Sequence, residues 1–138
     1  EKSMSENKGI DFRSIRFPGV VSYDTIPSGG TTDYVPQMID SAKNTKKFDC
    51  KLSPETILPF IGINKTISSI IDIMDLESIN SKLRVFNVQE VSFSAKKLSD
   101  FLIEKFPSFE ITFKEDKNFQ SVADTWPSSL NCDKANKY

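Results

Sequence analysis

The stretch "SGGTTD", residues 28–33, combines small residues with side chains that could hold a ligand. The glycine pair allows close approach to the backbone, and Thr31 and Thr32 carry hydroxyl groups. Apolar residues at helical spacing follow Asp33, so free N–H groups and the helix dipole would favour a carboxylate or phosphate here. A flexible turn before a capped helix explains the same residues. The stretch matches neither G-x-x-x-x-G-K-S/T nor G-x-G-x-x-G, so it identifies no nucleotide.

Two further places could contribute to a ligand site. "FPG", residues 17–19, ends a predicted strand, and open α/β sheets bind ligands at the carboxyl edge of their strands. A simple strand-ending turn accounts for it equally well. Trp126, the single tryptophan, lies in an irregular stretch before a proline. It is either a core residue or a rigid aromatic wall over a small ligand.

The residue types exclude several kinds of catalysis. The chain has no histidine and two cysteines, so no Ser-His or Cys-His nucleophile and no Cys/His zinc site can form within it. The carboxylates at 33, 72, 75 and 77 suit helix caps and solvated faces better than a catalytic pair. We therefore predict no catalytic residue and no metal site. Cys50 and Cys132 are expected to be free thiols in a reducing compartment.

Composition indicates one domain that binds neither nucleic acid nor membrane. The chain has 138 residues, of which 38% are hydrophobic, and its formal net charge is -1. A basic excess suited to nucleic acid or an anionic membrane is absent. Apolar runs are too short to span a bilayer, and the polar residues 1–9 do not resemble a signal or transit peptide.

Strands and helices alternate along the chain, which is typical of α/β proteins. We predict strands over 11–17, ending near Pro18–Gly19, and over 47–52, 57–63, 83–88 and 109–113. Residues 24–32 are predicted to be a loop. The irregular tail is expected to hold one helical turn before Trp126.

Three helices are predicted from apolar spacing. The first covers 33–44, with Thr32 or Asp33 as its N-cap. The second follows strand 57–63, capped by Asn64 or Thr66, with apolar residues at 67, 70, 71 and 74 on one face. The third covers 94–106, with Ser94 as N-cap and Leu98, Phe101, Leu102 and Ile103 facing inward.

Five motifs, read together, carry a family resemblance. "RFPGVVSY", "GGTTDYV", "LPFIGI", "FNVQEVSFSAKKL" and "VADTWPSSL" occur in the order found in short-chain L-threonine 3-dehydrogenases of the extended short-chain dehydrogenase/reductase family. The chain resembles their C-terminal half from about Gly9 to about Ala135. The resemblance implies an α/β fold: residues 1–138 are one domain or a fragment, with the last part of a Rossmann sheet and the substrate-binding portion. Most of the Rossmann half is lacking.

The resemblance also implies an activity and site residues. The family oxidises L-threonine at its 3-hydroxyl to 2-amino-3-ketobutyrate with NAD and without a metal. By position, Phe17, Pro18, Gly19 and Val20 would lie against the nicotinamide. Gly30, Thr31 and Thr32 would meet the substrate's amino-acid group, and Trp126 would wall the substrate side.

The chain departs from the family pattern. Phe17 stands where the family usually has tyrosine, and Asn64–Lys65 where it usually has Pro-Asp. Lys117 and Phe119 lie near the positions of a usual aspartate and arginine. The glycine fingerprint and the Tyr-x-x-x-Lys pair are absent.

These departures set the expectations for function. We expect the chain not to oxidise threonine alone. The alternative is an α/β binding or interaction module without chemistry. An unpaired strand edge would favour self-association or pairing with the missing half. The resemblance implies an intracellular location, mitochondrial in a eukaryote and otherwise cytoplasmic.

Overall fold

A computed structural model of the protein describes residues 11–22, 29–77 and 84–137. In chain order the elements are β1 (Ser14–Arg16), β2 (Gly19–Val21), α1 (Tyr34–Lys43), β3 (Lys47–Cys50), β4 (Ile57–Gly62), α2 (Ile63–Asp75), β5 (Val85–Asn87), β6 (Val91–Ser94), α3 (Ala95–Lys105), β7 (Glu110–Phe113), α4 (Lys117–Ala123) and a 3-10 turn (Ala135–Lys137). The predicted α/β class is confirmed.

The described strands form three small sheets. β1 pairs in parallel with β5, and β3 pairs in parallel with β7. In the third sheet β4 is central, with β2 parallel on one side and β6 antiparallel on the other. Parallel pairs need crossover connections, which the intervening helices supply.

Two hydrophobic cores meet at β4. Leu58 and Phe60 belong to the larger core, which α1 and α3 also enter. Ile61 belongs to a smaller core with Ile73 of α2 and Phe86 of β5. Because successive strand side chains point to opposite faces, β4 is buried on both.

The predicted strand over 11–17 is wrong at its end. Pairing stops at Arg16, and a second strand, β2, begins at Gly19 and joins a different sheet. Pro18 lacks an N–H and separates the two pairings. β6 was not predicted, because "VSFS" is only four residues long and merges with the cap of α3.

The helix starts were only partly predicted. Ser94 does cap α3, since its Oγ accepts from Lys97 N–H at 3.1 Å. Asn64 and Thr66 do not cap α2, because its N-cap position is Gly62. Thr66 instead lies one turn inside, where its Oγ1 donates to the Gly62 carbonyl at 3.1 Å.

The buried faces of α2 and α3 differ from the faces that apolar spacing predicted. α3 buries Leu102 and half-buries Leu98, but Phe101 and Ile103 lie outside, so that part of the prediction is wrong. The apolar residues on α2 do share one face, but that face is exposed. Its members are Ile67, Ile70, Ile71 and Met74. The buried residues of α2 are Thr66, Ser69 and Ile73.

An arginine closes the carboxyl end of α2. The Arg13 guanidinium donates to the carbonyls of Met74 and Leu76, at 3.0 and 2.7 Å, and to that of Ile73. It is also paired with the Asp11 carboxylate at 2.6 Å, and Arg84 joins the same carboxylate. The hydrogen bond from Arg13 lowers the pKa of Asp11. A cation here also complements the negative end of the helix dipole.

Candidate functional site

Gly19 and Thr32, predicted from separate motifs, are packed against each other. A methyl group placed on Gly19 would lie 2.7 Å from Thr32 Cγ2 and 2.9 Å from Phe60 Cδ1. Ordinary carbon contacts are near 3.5–4.0 Å, so only glycine fits at this position. The end of "FPG" and the "GGTTD" turn are therefore one surface.

Aromatic rings form the floor beneath this contact. Phe60 stacks on Phe93 with ring centroids 4.5 Å apart, and Tyr34 meets Phe60 edge-on at 6.1 Å. Tyr34 is buried, and its hydroxyl has no hydrogen-bond partner among the described residues. Burial raises the pKa of Tyr34. Tyr34 is therefore a packing residue of the larger core. The role of Phe60 was missed, because "ILPFIGI" indicated only a buried strand.

Asp33 holds the glycine turn instead of capping α1. Its Oδ2 accepts from the N–H groups of Gly29 and Gly30, both at 2.8 Å. It occupies the predicted N-cap position, but its side chain makes no hydrogen bond to the start of the helix. Gly29 has φ of 102°, a left-handed conformation that favours glycine.

This arrangement changes the expected chemistry of the turn. The two glycine N–H groups already serve an internal carboxylate, so they do not form an open anion cradle. What remains toward a ligand is the surface of Thr31 and Thr32, both half-buried. Hydroxyl groups both donate and accept hydrogen bonds, so this wall suits a polar ligand.

Some of the residues predicted to contact a cofactor are packed inside the protein, and one is exposed to solvent. Gly19 is filled on its side-chain face by Thr32 and Phe60, and Phe17 packs against the smaller core. Val20 is 43% exposed and offers an open apolar surface. These residues would form only one edge of a dinucleotide site.

Trp126 lies beyond α4 and is 39% exposed, so it is not a core residue. Its backbone N–H donates to Ala123 at 3.0 Å, and Ala123 packs in the same core as Tyr34. The Gln120 side chain links α4 to the loop before β4. Its Oε1 accepts a hydrogen bond from Ser53 N–H, and its Nε2 donates one to Thr56 Oγ1. The role of Trp126 as a substrate wall stays a prediction. Gln120 was missed, since a lone glutamine carries no sequence signal.

A cavity of about 430 Å³ lies away from this surface, between α2 and the last described residues. Its lining is mixed, because Ile73 and Val88 are apolar and Lys65 and Asp72 are charged. None of the predicted site residues lines it.

Other expectations concern metals, membranes and thiols. Among the described residues, no group of three or more His, Cys, Asp or Glu side chains could hold a metal ion. No helix in that part of the chain has the length and apolar character needed to cross a membrane. Cys50 is buried and Cys132 half-buried, and both are free, as predicted. Burial raises the pKa of the Cys50 thiol.

Comparisons of the sequence and of the structure with known proteins both find L-threonine dehydrogenases. No family model matches the chain. It is 36% identical over 123 residues to the mitochondrial L-threonine 3-dehydrogenase of Sus scrofa, covering 89% of this chain and 33% of that protein. The crystal structure of L-threonine dehydrogenase from Phytophthora infestans superposes with a TM-score of 0.92 at 30% identity, covering 99% of this chain and 44% of that one.

A second solved structure agrees. A monomeric L-threonine 3-dehydrogenase from a metagenome, in its apo form, superposes with a TM-score of 0.88 at 36% identity. The match covers 98% of this chain and 44% of the metagenomic chain. The chain thus spans about a third of the length of the curated relative and less than half of the solved ones.

Proposed function

We propose that this chain, a homologue of part of the L-threonine 3-dehydrogenases of the extended short-chain dehydrogenase/reductase family, supplies the substrate side of an NAD-dependent threonine oxidation. The product would be 2-amino-3-ketobutyrate. A nucleotide-binding portion must complete the site, because the sequence contains neither a glycine fingerprint nor a Tyr-x-x-x-Lys pair.

The observation that carries this proposal is the packing of Gly19 against Thr32. It joins the two motifs that the family resemblance assigns to the cofactor side and to the substrate side. Together with the hydrogen bonds from Gly29 and Gly30 to Asp33, it forms a wall held by contacts within the chain. Such preorganisation lowers the entropic cost of binding.

The chemistry divides between this chain and its completing portion. Oxidation of the 3-hydroxyl moves a hydride from carbon 3 and a proton from the oxygen. Bound NAD would accept the hydride. Thr31 and Thr32 would hold the amino-acid group, Val20 would border the nicotinamide, and the exposed ring of Trp126 would exclude water. A base is missing from these residues, so we expect no turnover by the chain alone.

Thr32→Val tests the substrate role. It keeps the methyl that packs on Gly19 and removes the hydroxyl. We expect threonine affinity, measured by calorimetry, to fall about five- to tenfold with the loss of one hydrogen bond. Thr112→Val, at an exposed position on β7, is the matched control. Unchanged affinity in Thr32→Val would contradict the assignment.

A binding module without chemistry is the second candidate. The missing fingerprint and catalytic pair favour it, as does the placement of Lys117 and Phe119 in an ordinary helix, α4. The two candidates separate in one assay. The chain is co-expressed with the nucleotide-binding portion of a relative, and NADH absorbance is followed with threonine. Turnover supports the dehydrogenase, and threonine binding without turnover supports the module.

The location is also a proposal. The Sus scrofa relative is named as mitochondrial. We propose an intracellular location for this chain, mitochondrial in a eukaryote and otherwise cytoplasmic. Fractionation of the source cells with an antibody to the chain would test it.

A further inference from the structure

The helix that precedes Trp126 is too short to hold its position by itself. α4 has seven residues, and its members Phe119 and Ala123 pack on the larger core. Isolated helices shorter than about 12 residues are marginal in water. The place of α4 in the molecule is therefore set by its contacts with other elements.

The Gln120 amide makes hydrogen bonds both to a distant loop and to the end of its own helix. Oε1 accepts from Ser53 N–H at 2.8 Å and from Thr56 Oγ1 at 3.1 Å. Nε2 donates to Thr56 Oγ1 at 2.8 Å and to Asp124 Oδ1 at 2.6 Å. An amide has two N–H donors and one oxygen with two lone pairs, so these contacts fill its hydrogen-bonding capacity.

The loop that receives Gln120 is itself fixed. Thr56 N–H donates to the Ser53 carbonyl at 3.1 Å, which closes a turn. The N–H of Ala95, at the start of α3, donates to the Thr56 carbonyl at 3.3 Å, and the next N–H of α3 donates to Pro54 at 2.9 Å. Because its backbone is held by α3 as well as by its own turn, the loop is a firm anchor for a side chain from α4.

The same loop leads into the strand beneath the contact between Gly19 and Thr32. β4 begins directly after Thr56 and carries Phe60, which packs beside Gly19. Gln120 therefore attaches α4 to the strand that supports this contact.

The end of α4 transmits the attachment to Trp126. The N–H groups of residues 124, 125 and 126 each donate to a carbonyl of α4, at 2.9, 3.1 and 3.0 Å. Asp124 is also joined to Gln120 through its side chain. Trp126 therefore moves with the end of α4, although its own ring is partly exposed.

We propose that Gln120 is a positioning residue of the substrate site, which fixes the turn that carries Trp126 relative to β4 through its contacts with Thr56. This inference rests on the proposed function for the role of Trp126 as a substrate wall. Without the amide, the core contacts of α4 remain, but the turn is released and the ring no longer has a fixed place. A displaced wall weakens binding although every group that contacts the substrate is still present.

The single tryptophan allows a specific test, because tryptophan fluorescence from this chain reports on Trp126 alone. Gln120→Leu keeps the approximate size of the side chain and removes its hydrogen bonds. We expect acrylamide quenching of Trp126 to rise and its fluorescence anisotropy to fall. Threonine affinity, measured by calorimetry, should fall about three- to tenfold, which is the equivalent of one hydrogen bond.

Thr56→Val tests the same link from the other side. It keeps the shape of the side chain, lies outside α4 and removes the hydroxyl that contacts the amide. It should change Trp126 in the same direction as Gln120→Leu, and the two effects should not add, because both remove one link. Asn118→Leu, which replaces an exposed amide on the same helix, is the matched control and should leave Trp126 unchanged. Thermal melting verifies that each variant is folded, and Thr56→Val carries the test if Gln120→Leu is not.

The outcomes separate this inference from the proposed function. A more mobile Trp126 in both variants, together with weaker threonine binding, supports both. The same mobility in a chain that neither binds threonine nor yields NADH in the co-expression assay supports the link from Gln120 to Trp126 and overturns the proposed function. Unchanged quenching in either folded variant, or threonine affinity that Gln120→Leu leaves intact, overturns the positioning role.

Discussion

Gly19 and Thr32 are in such close contact that a change at either should depend on the other. Gly19→Ala adds a methyl group within 2.7 Å of Thr32 Cγ2, and we expect a loss of about 1–3 kcal/mol in the free energy of unfolding. Adding Thr32→Ser, which removes that carbon, should restore part of the loss.

Urea unfolding of the double-mutant cycle measures the coupling, which we expect to be about 0.5–3 kcal/mol. Gly62→Ala is the control, since its new methyl would meet only the flexible Glu90 side chain, at 3.4 Å. Additive effects of the changes at 19 and 32 would contradict the contact.

Tyr34→Phe is expected to stabilise the protein. The hydroxyl of Tyr34 is buried without a partner among the residues that the structure describes, and removing such a group regains about 1 kcal/mol. Burial raises its pKa above the ordinary value of 10.0. The folded state therefore keeps the proton when the unfolded state loses it, and stability falls as the pH rises above that value.

Thermal melting at neutral pH and above pH 10 checks both parts of this prediction. The advantage of Tyr34→Phe should be present at neutral pH and should grow on the alkaline side. A lower melting temperature for the variant at neutral pH would show that the hydroxyl has a partner.

Asp33 shows what a sequence pattern could not determine at this scale. An aspartate before an apolar helix predicts an N-cap, and the residue does occupy that position. Its carboxylate turns backward because Gly29, in a left-handed conformation, brings two N–H groups within 2.8 Å. That choice depends on backbone angles, which residue types do not fix.

At the scale of elements, Arg13 links a strand to the end of a helix. Arg13→Gln should destabilise the last turn of α2, since the guanidinium serves the carbonyls of Met74 and Leu76. We expect faster hydrogen exchange across 70–75, because the carbonyls at the end of the helix lose their donor. Arg16→Gln, at an exposed position on β1, is the control.

The same cluster gives a pH dependence. Because the Arg13 hydrogen bond lowers the pKa of Asp11 below 3.8, its stabilising effect is complete above that value. The effect is lost as the pH falls toward the lowered pKa. In Asp11→Asn, the acid-induced loss of α2 protection should be smaller than in the wild type. Equal acid sensitivity of α2 in the variant and in the wild type would show that Asp11 does not stabilise the helix.

Apolar periodicity predicted helix faces better than it predicted their burial. Spacing correctly grouped the four apolar residues of α2, but what covers a face depends on neighbours that periodicity does not identify. For α3, the run of Phe101, Leu102 and Ile103 exceeds what one face can hold, so two of the three lie outside. The predicted strands lay closer to those of the structure, because a short apolar segment has few alternatives to a buried strand.

For the whole molecule, the two cores should differ in stability. Within the described ranges, the larger core has twelve buried members and the smaller core four. We expect native-state hydrogen exchange to be slower at Met38, Leu58 and Leu102 than at Phe86 and Val88 of the smaller core. Uniform protection would indicate that the smaller core does not open separately.

The position of β4 between the cores has a consequence for how the molecule transmits strain. Phe60 packs beside Gly19 in the larger core and the adjacent Ile61 packs in the smaller core, so one short strand supports both. Because closely packed interiors transmit strain, a displacement of β4 would shift the contact between Gly19 and Thr32 and the smaller core together.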